Sequence, residues 1–64
     1  MTYTVSYTRY YEEYGWYDPD IKEFDNLKDA WAFYNEKKAE NPDDRNLLMF
    51  VKKEGEKGYG EQIA

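Results

Sequence analysis

The chain contains no cysteine and no histidine, and only two prolines and four glycines among its 64 residues. Without cysteine there is no disulfide framework, no thiolate metal site and no cysteine nucleophile. Without histidine the commonest general base and metal ligand are missing. No apolar run approaches the ~20 residues that span a bilayer, and Met1 leads into alternating Thr and Tyr, not into the basic and apolar regions of an export signal. Basic residues are also scarce. Nine Lys and Arg stand against 14 Asp and Glu, a formal net charge of −5, whereas nonspecific nucleic-acid binding is driven by cations that displace counterions at phosphates. These absences predict a non-enzymatic, cytoplasmic protein with no cofactor, no metal, no membrane contact and no direct nucleic-acid binding. Its partner should be a basic protein surface or simply another protein.

Aromatic residues, in contrast, are abundant. They make up 20% of the chain within a hydrophobic fraction of 41%, which outweighs the 36% of charged residues in deciding between folded and disordered. Residues 1–64 predict one small domain, and domains near this size bury only ~60% of the surface their unfolded chain exposes, so the core should be thin.

From Thr2 to Glu12 the sequence alternates strictly. Tyr3, Val5, Tyr7, Arg9 and Tyr11 fall on one face, and Thr2, Thr4, Ser6, Thr8 and Tyr10 on the other, the pattern of a half-buried strand. Gly15 and Asp18-Pro19 signal turns, so Glu12 to Asp20 reads as a long hairpin tip before a short second strand at Ile21–Phe24. Asp25 or Asn26 can cap a helix, with Asp29 three residues after Asn26 in a near capping-box arrangement. The helix should run from Leu27 to Glu40 and bury Leu27, Ala30, Trp31, Tyr34 and the stem of Lys38, with Phe33 on the flank. Lys37 and Lys38 suit its negative pole, and Asn41-Pro42 stops it. Leu47–Val51 is the one continuous apolar run and reads as a strand in the sheet interior. Tyr59–Ile63 reads as a weak last strand.

The element order ββαββ predicts an α+β domain: a four-stranded antiparallel sheet with one helix on one face. The strand order 2-1-3-4 is preferred because Leu47–Val51 looks more central than Tyr59–Ile63. The alternative is the β-grasp order 2-1-4-3, with its first and last strands parallel in the middle.

Candidate chemistry is sparse. Asp18, Asp20, Glu23 and Asp25 could pair as acid and base only in a concave, partly desolvated site, and a turn and an exposed strand do not provide one. Asp18-Pro19-Asp20 followed by Lys22 departs from a calcium loop, because a cation takes the fifth position and no Gly follows. Gly55, Gly58 and Gly60 precede no helix whose N-terminus could hold a phosphate.

The first 26 residues hold eight of the thirteen aromatic residues, and six acidic against two basic residues, a local charge of −4. This hairpin is the candidate partner-binding site: Tyr10, Tyr14, Trp16 and Tyr17 as amphipathic anchors, with Glu12, Glu13, Asp18 and Asp20 setting orientation. Two other readings use the same residues. The rings could fold back over the sheet edge to enlarge a small core. Alternatively, the sheet face without a helix, carrying Tyr10, Thr8 and either Leu48 and Phe50 or their neighbours, could pair with a second copy in a homodimer.

In size, charge and strand, strand, helix, strand plan, with a central segment FDNLKDAWAFYNEKK, the whole chain resembles the anti-CRISPR and related inhibitor proteins that bacteriophages encode against host defences. No motif matches residue by residue, so no site residue is carried over. The resemblance implies a non-enzymatic protein in the host cytoplasm. It would act by covering a basic or nucleic-acid-contacting surface of a host protein or ribonucleoprotein such as a nuclease complex. The opening Met-Thr-Tyr and the element order are similar to the β-grasp immunoglobulin-binding modules as well.

Overall fold

The computed structural model describes all residues from Met1 to Ala64. The alternating segment forms strand β1, Thr2–Tyr11, and strand β2 returns antiparallel over Trp16–Phe24. The tip between them is only Glu12 to Gly15, half the length predicted. Tyr11 closes it by accepting from the amides of Tyr14 (3.1 Å) and Gly15 (2.8 Å). Gly15 takes the φ of +73° that the last position of such a four-residue loop requires.

The second strand therefore begins five residues earlier than its local turn signals suggest. Asp18, Pro19 and Asp20 lie in register with Arg9, Thr8 and Tyr7. Pro19 is tolerated because β2 is an edge strand. Its partner Thr8 points its amide away from β2, to Asp44 at 2.9 Å, so Pro19 presents its missing donor to the open edge, where the ladder needs none.

Helix α1, Leu27–Glu40, matches the predicted limits. Asn26 is the N-cap: its Oδ1 accepts from the Asp29 amide (2.9 Å) and its Nδ2 donates to the Asp29 carboxylate (2.8 Å). The Asn41 amide bonds the Lys37 carbonyl at the other end. The helix is turned about its axis relative to the expected face by about 70°, counting 100° per residue. Ala30 is fully buried, Phe33, Tyr34 and Lys37 are half-buried, and Leu27 and Lys38 are exposed. Small Ala30 lets the helix approach the sheet, and Phe33 then becomes the central ring, 5.1 Å from Tyr7 edge-to-face and 5.4 Å from Phe24. Trp31 moves to the flank, half-buried against Tyr34. Lys22 and Lys37 roof the cluster, with their ammonium groups 5.0 and 5.2 Å from the Phe33 ring.

Strand β3, Leu48–Lys52, pairs with β1, and β4 is reduced to Glu61–Gln62. The sheet order is β2-β1-β3-β4, antiparallel throughout, which settles the choice between the two orders in favour of 2-1-3-4. Only Val5, Tyr7, Ala30, Leu47 and Met49 form the buried apolar core. No helix is long and apolar enough to cross a membrane.

The predicted last strand loses Tyr59 and Gly60, where Gly60 turns the chain at φ +87° against the Val51 carbonyl, and ends one residue early, at Gln62. Ile63 and Ala64 nevertheless bond both backbone groups of Met49. A Cβ at Gly60 would overlap the Val51 backbone, so Gly60→Ala should cost more than the ~1–2 kcal/mol of left-handed strain alone. The measurement is a urea midpoint together with hydrogen exchange of the Ile63 amide, and unchanged protection there would contradict the arrangement.

Candidate functional site

The site is set by a mismatch of lengths. Fourteen helical residues reach about 21 Å at 1.5 Å each, whereas the ten residues of β1 reach about 33 Å. Strand β3 also stops opposite Ser6. The far half of the β1–β2 hairpin thus projects beyond both helix and sheet. The chain is correspondingly elongated: its radius of gyration is 12.2 Å, against about 10.7 Å for a compact domain of this length.

Every candidate residue except Asp20, which lies at its base opposite the core residue Tyr7, is in this projection, but not on one surface. Strand alternation sends Trp16, Asp18 and Asp20 to the face that carries α1, beside Tyr11, Arg9 and Tyr7, and sends Tyr17 to the opposite face, beside Tyr10. Tyr14, at the tip, stacks on Trp16 with 5.2 Å between centroids and 14° between planes, and lies 6.5 Å from Tyr11. Tyr10 and Tyr17 form a separate pair at 4.9 Å. Glu12 and Glu13 are exposed in the turn. The expected single cluster of Tyr14, Trp16 and Tyr17 is therefore two clusters, because the shorter tip places Trp16 and Tyr17 as strand neighbours on opposite sides of the sheet. Tyr14 is 63% and Trp16 55% exposed. These rings do not fold back into the core.

Arg9 and Asp20 hold the helix-side row in place. The guanidinium lies 3.3 Å from the Asp20 carboxylate and 4.8 Å from the Tyr11 ring centroid. Asp20 also accepts the Ile21 amide at 2.8 Å. That amide bond is the largest influence; it outweighs the opposing desolvation and, with lesser help from Arg9 and Tyr11, holds the Asp20 carboxyl below its ordinary range. A carboxylate stabilised in this way stays ionised and is a poor proton donor near neutral pH. Partial desolvation, followed by the Asp20 charge, pushes the Tyr11 phenol up. Arg9 and Tyr11 join the site without being expected from the sequence, although their place on the Tyr7 face of the alternating strand is a signal for them. No group of three or more acidic side chains comes close enough to hold a metal ion.

A second anchor, also unexpected from the sequence, fixes the base of the projection. Asp44 accepts from the Thr8 amide (2.9 Å), the Thr8 hydroxyl (2.7 Å) and the Asn46 amide (2.9 Å), and Asn46 in turn donates to the Thr8 hydroxyl (2.8 Å). The only local hint is the Asp-x-Asn spacing of an Asx turn. Next to it lies a depression of 510 Å³ between Tyr10, Tyr17, Arg9 and the end of α1. Its Arg9 and Lys37 are balanced by Glu40 and Asp44, so it has no charge preference.

Burial opposes ionisation of Asp44, but the Thr8 and Asn46 donors outweigh it and lower its pKa. The folded chain therefore binds protons less readily at this site than the unfolded chain. Stability from Asp44 is present in full above the ordinary carboxylate value of about 3.9 and is lost as pH falls through the lower folded value. The urea midpoint should therefore drop below about pH 4, with Asp20 acting in the same direction. Asp44→Ala should cost about 1–3 kcal/mol at neutral pH, as expected when a partly buried amide loses its acceptor, and should flatten the acid limb. An acid limb as steep in Asp44→Ala as in the wild type would contradict this assignment.

No protein-family model, curated protein or solved structure matches the chain.

Proposed function

We propose that the protein is a non-catalytic binding protein whose projecting hairpin seats on a basic surface of a protein or ribonucleoprotein, inhibiting the partner by occupying a surface that otherwise contacts nucleic acid. The observation that supports this reading is the stacked, exposed pair Tyr14–Trp16, flanked by Glu12, Glu13 and Asp18 on a projection that the core does not use. Aromatic side chains held rigid by stacking and strand pairing supply contact area at small entropic cost. Carboxylates around them favour a cationic partner and speed its approach.

The proposed action is local blocking and not replacement of a duplex. Mimicry of DNA needs a long acidic face, since a duplex carries one charge per ~1.7 Å. Lys28, Lys37, Lys38, Lys52, Lys53 and Lys57 interrupt such a face outside the hairpin. The phage anti-defence role is supported only by the resemblance in size, charge and element order.

The experiment is affinity capture from bacterial lysate with wild-type protein and with Tyr14→Ala/Trp16→Ala, followed by competition with nucleic acid. Capture of a basic protein that is lost in the double variant and competed by nucleic acid supports the reading. Capture equal in both would place the binding surface elsewhere, and turnover of a small molecule would replace the reading altogether.

A further inference from the structure

The sheet face opposite α1 carries Ile21, Leu48 and Phe50 around Ser6, with Tyr59 laid against Phe50 at 5.6 Å and the Tyr10–Tyr17 pair at one end. Between Ile21, Leu48, Phe50 and Tyr59 lies an open, largely apolar depression of 390 Å³. The accessible surface, 4905 Å², exceeds the roughly 4,400 Å² of a compact monomer of this mass. From these observations we infer that the outer sheet face is a homodimer interface, with a second copy of this chain packed face to face and its strands running antiparallel to the first.

Three features select this occupant and geometry. Strand addition along β2 is hindered: Pro19 has no donor and the Ile21 amide is taken by Asp20, while the free row of β1 beyond β3 has its Thr8 amide taken by Asp44, and β4 offers only two residues at the other edge. These features favour association through the face over the edges. The face carries little free charge: Glu23 and Lys52 offset each other, and Asp20, which borders the depression, is already engaged by Arg9 and the Ile21 amide, so a strongly basic partner has little to pair with there. Charge then sets the direction. Glu12 and Glu13 lie at one end of the sheet, whereas the other end, around the end of β3, mixes Lys52, Lys53 and Lys57 with Glu54 and Glu56. A two-fold axis across the strands sets each acidic tip over this mixed end, whereas an axis along them would stack the two acidic tips.

The face is of the right size. The two longer dimensions of the molecule, 37 and 21 Å, bound an outline of at most about 780 Å², of the order of the ≈ 800 Å² per partner of a stable interface. The arrangement would cover Tyr10 and Tyr17 and leave Tyr14 and Trp16 on the other side of each hairpin. It is independent of the proposed function and would give it two binding tips, at opposite ends of one particle.

Sedimentation equilibrium across a concentration series should show a monomer–dimer equilibrium. Ile21→Lys or Tyr17→Ser, both at exposed positions, should weaken it about 30-fold or more, as for a hot-spot side chain, with an unchanged circular dichroism spectrum. Trp16→Ala should leave it unaltered. Because the chain has no native cysteine, an equal mixture of Tyr17→Cys and Glu23→Cys chains, both on the outer face of β2, should oxidise mainly to the mixed pair. A single-chain mass at all concentrations, larger open-ended oligomers, dissociation by Trp16→Ala, or self-pairing of each cysteine variant would overturn the inference.

Discussion

Met49→Ala should cost about 2–5 kcal/mol, the range for removing a fully buried long side chain and leaving a cavity. The total stability of a domain this size is only about 3–10 kcal/mol. Met49 is completely inaccessible and lies in β3 opposite Val5. Both its backbone groups are bonded by the terminal residues Ile63 and Ala64. With five residues in the buried core, little surrounding material can collapse into the space. The melting temperature should fall by about 4–8 °C per kcal/mol lost. The measurement should be made at low protein concentration, where mass action contributes least to apparent stability. Met49→Leu, which nearly conserves volume, should cost under about 1.5 kcal/mol. A Met49→Ala protein that melts within a few degrees of the wild type would show that the core lies elsewhere.

Trp16→Ala should weaken partner binding about 30-fold or more, the factor corresponding to a hot-spot loss of at least ~2 kcal/mol, while leaving the melting temperature unchanged. The ring is more than half exposed and is held by Tyr14 and by strand pairing opposite Tyr11, so its removal opens no cavity. Glu12→Gln and Asp18→Asn should act differently, lowering the association rate and its salt dependence with a small effect on dissociation. Phe33→Ala supplies the internal contrast. Phe33 is the helix ring packed on Tyr7 and Phe24, and its loss should reduce stability by about 3–5 kcal/mol. Trp31, which the helical spacing assigns to the buried face, is half-buried and should cost less than Phe33. If Trp16→Ala itself lowers the melting temperature strongly, the hairpin rings are structural and the proposed binding surface fails.

Features set by near neighbours in the chain are legible in the sequence itself. The strict alternation from Thr2 to Tyr11 specifies a strand and the division of its faces. Asn26 and Asn41-Pro42 specify the helix limits, because capping is a competition for hydrogen bonds among residues a few positions apart. The order 2-1-3-4 follows from the one continuous apolar run, which has to be central. The acidic, aromatic character of the hairpin is likewise plain in composition.

What depends on distant residues is decided only by the tertiary structure. Asp18-Pro19-Asp20 carries turn signals, yet it is held extended because β1 supplies a ladder as far as Tyr11 and the edge position spares Pro19 its missing donor. That extension, and not any local preference, places Trp16 and Tyr17 on opposite faces and divides the candidate site in two. The rotation of α1 follows from how closely Ala30 and Phe33 fit the sheet. Periodicity limits such a rotation only to within a residue or so, since several neighbouring stripes of this helix are equally apolar. The hairpin's projection arises from the difference between a 1.5 Å and a 3.3 Å rise per residue, once packing has aligned the helix with the strands.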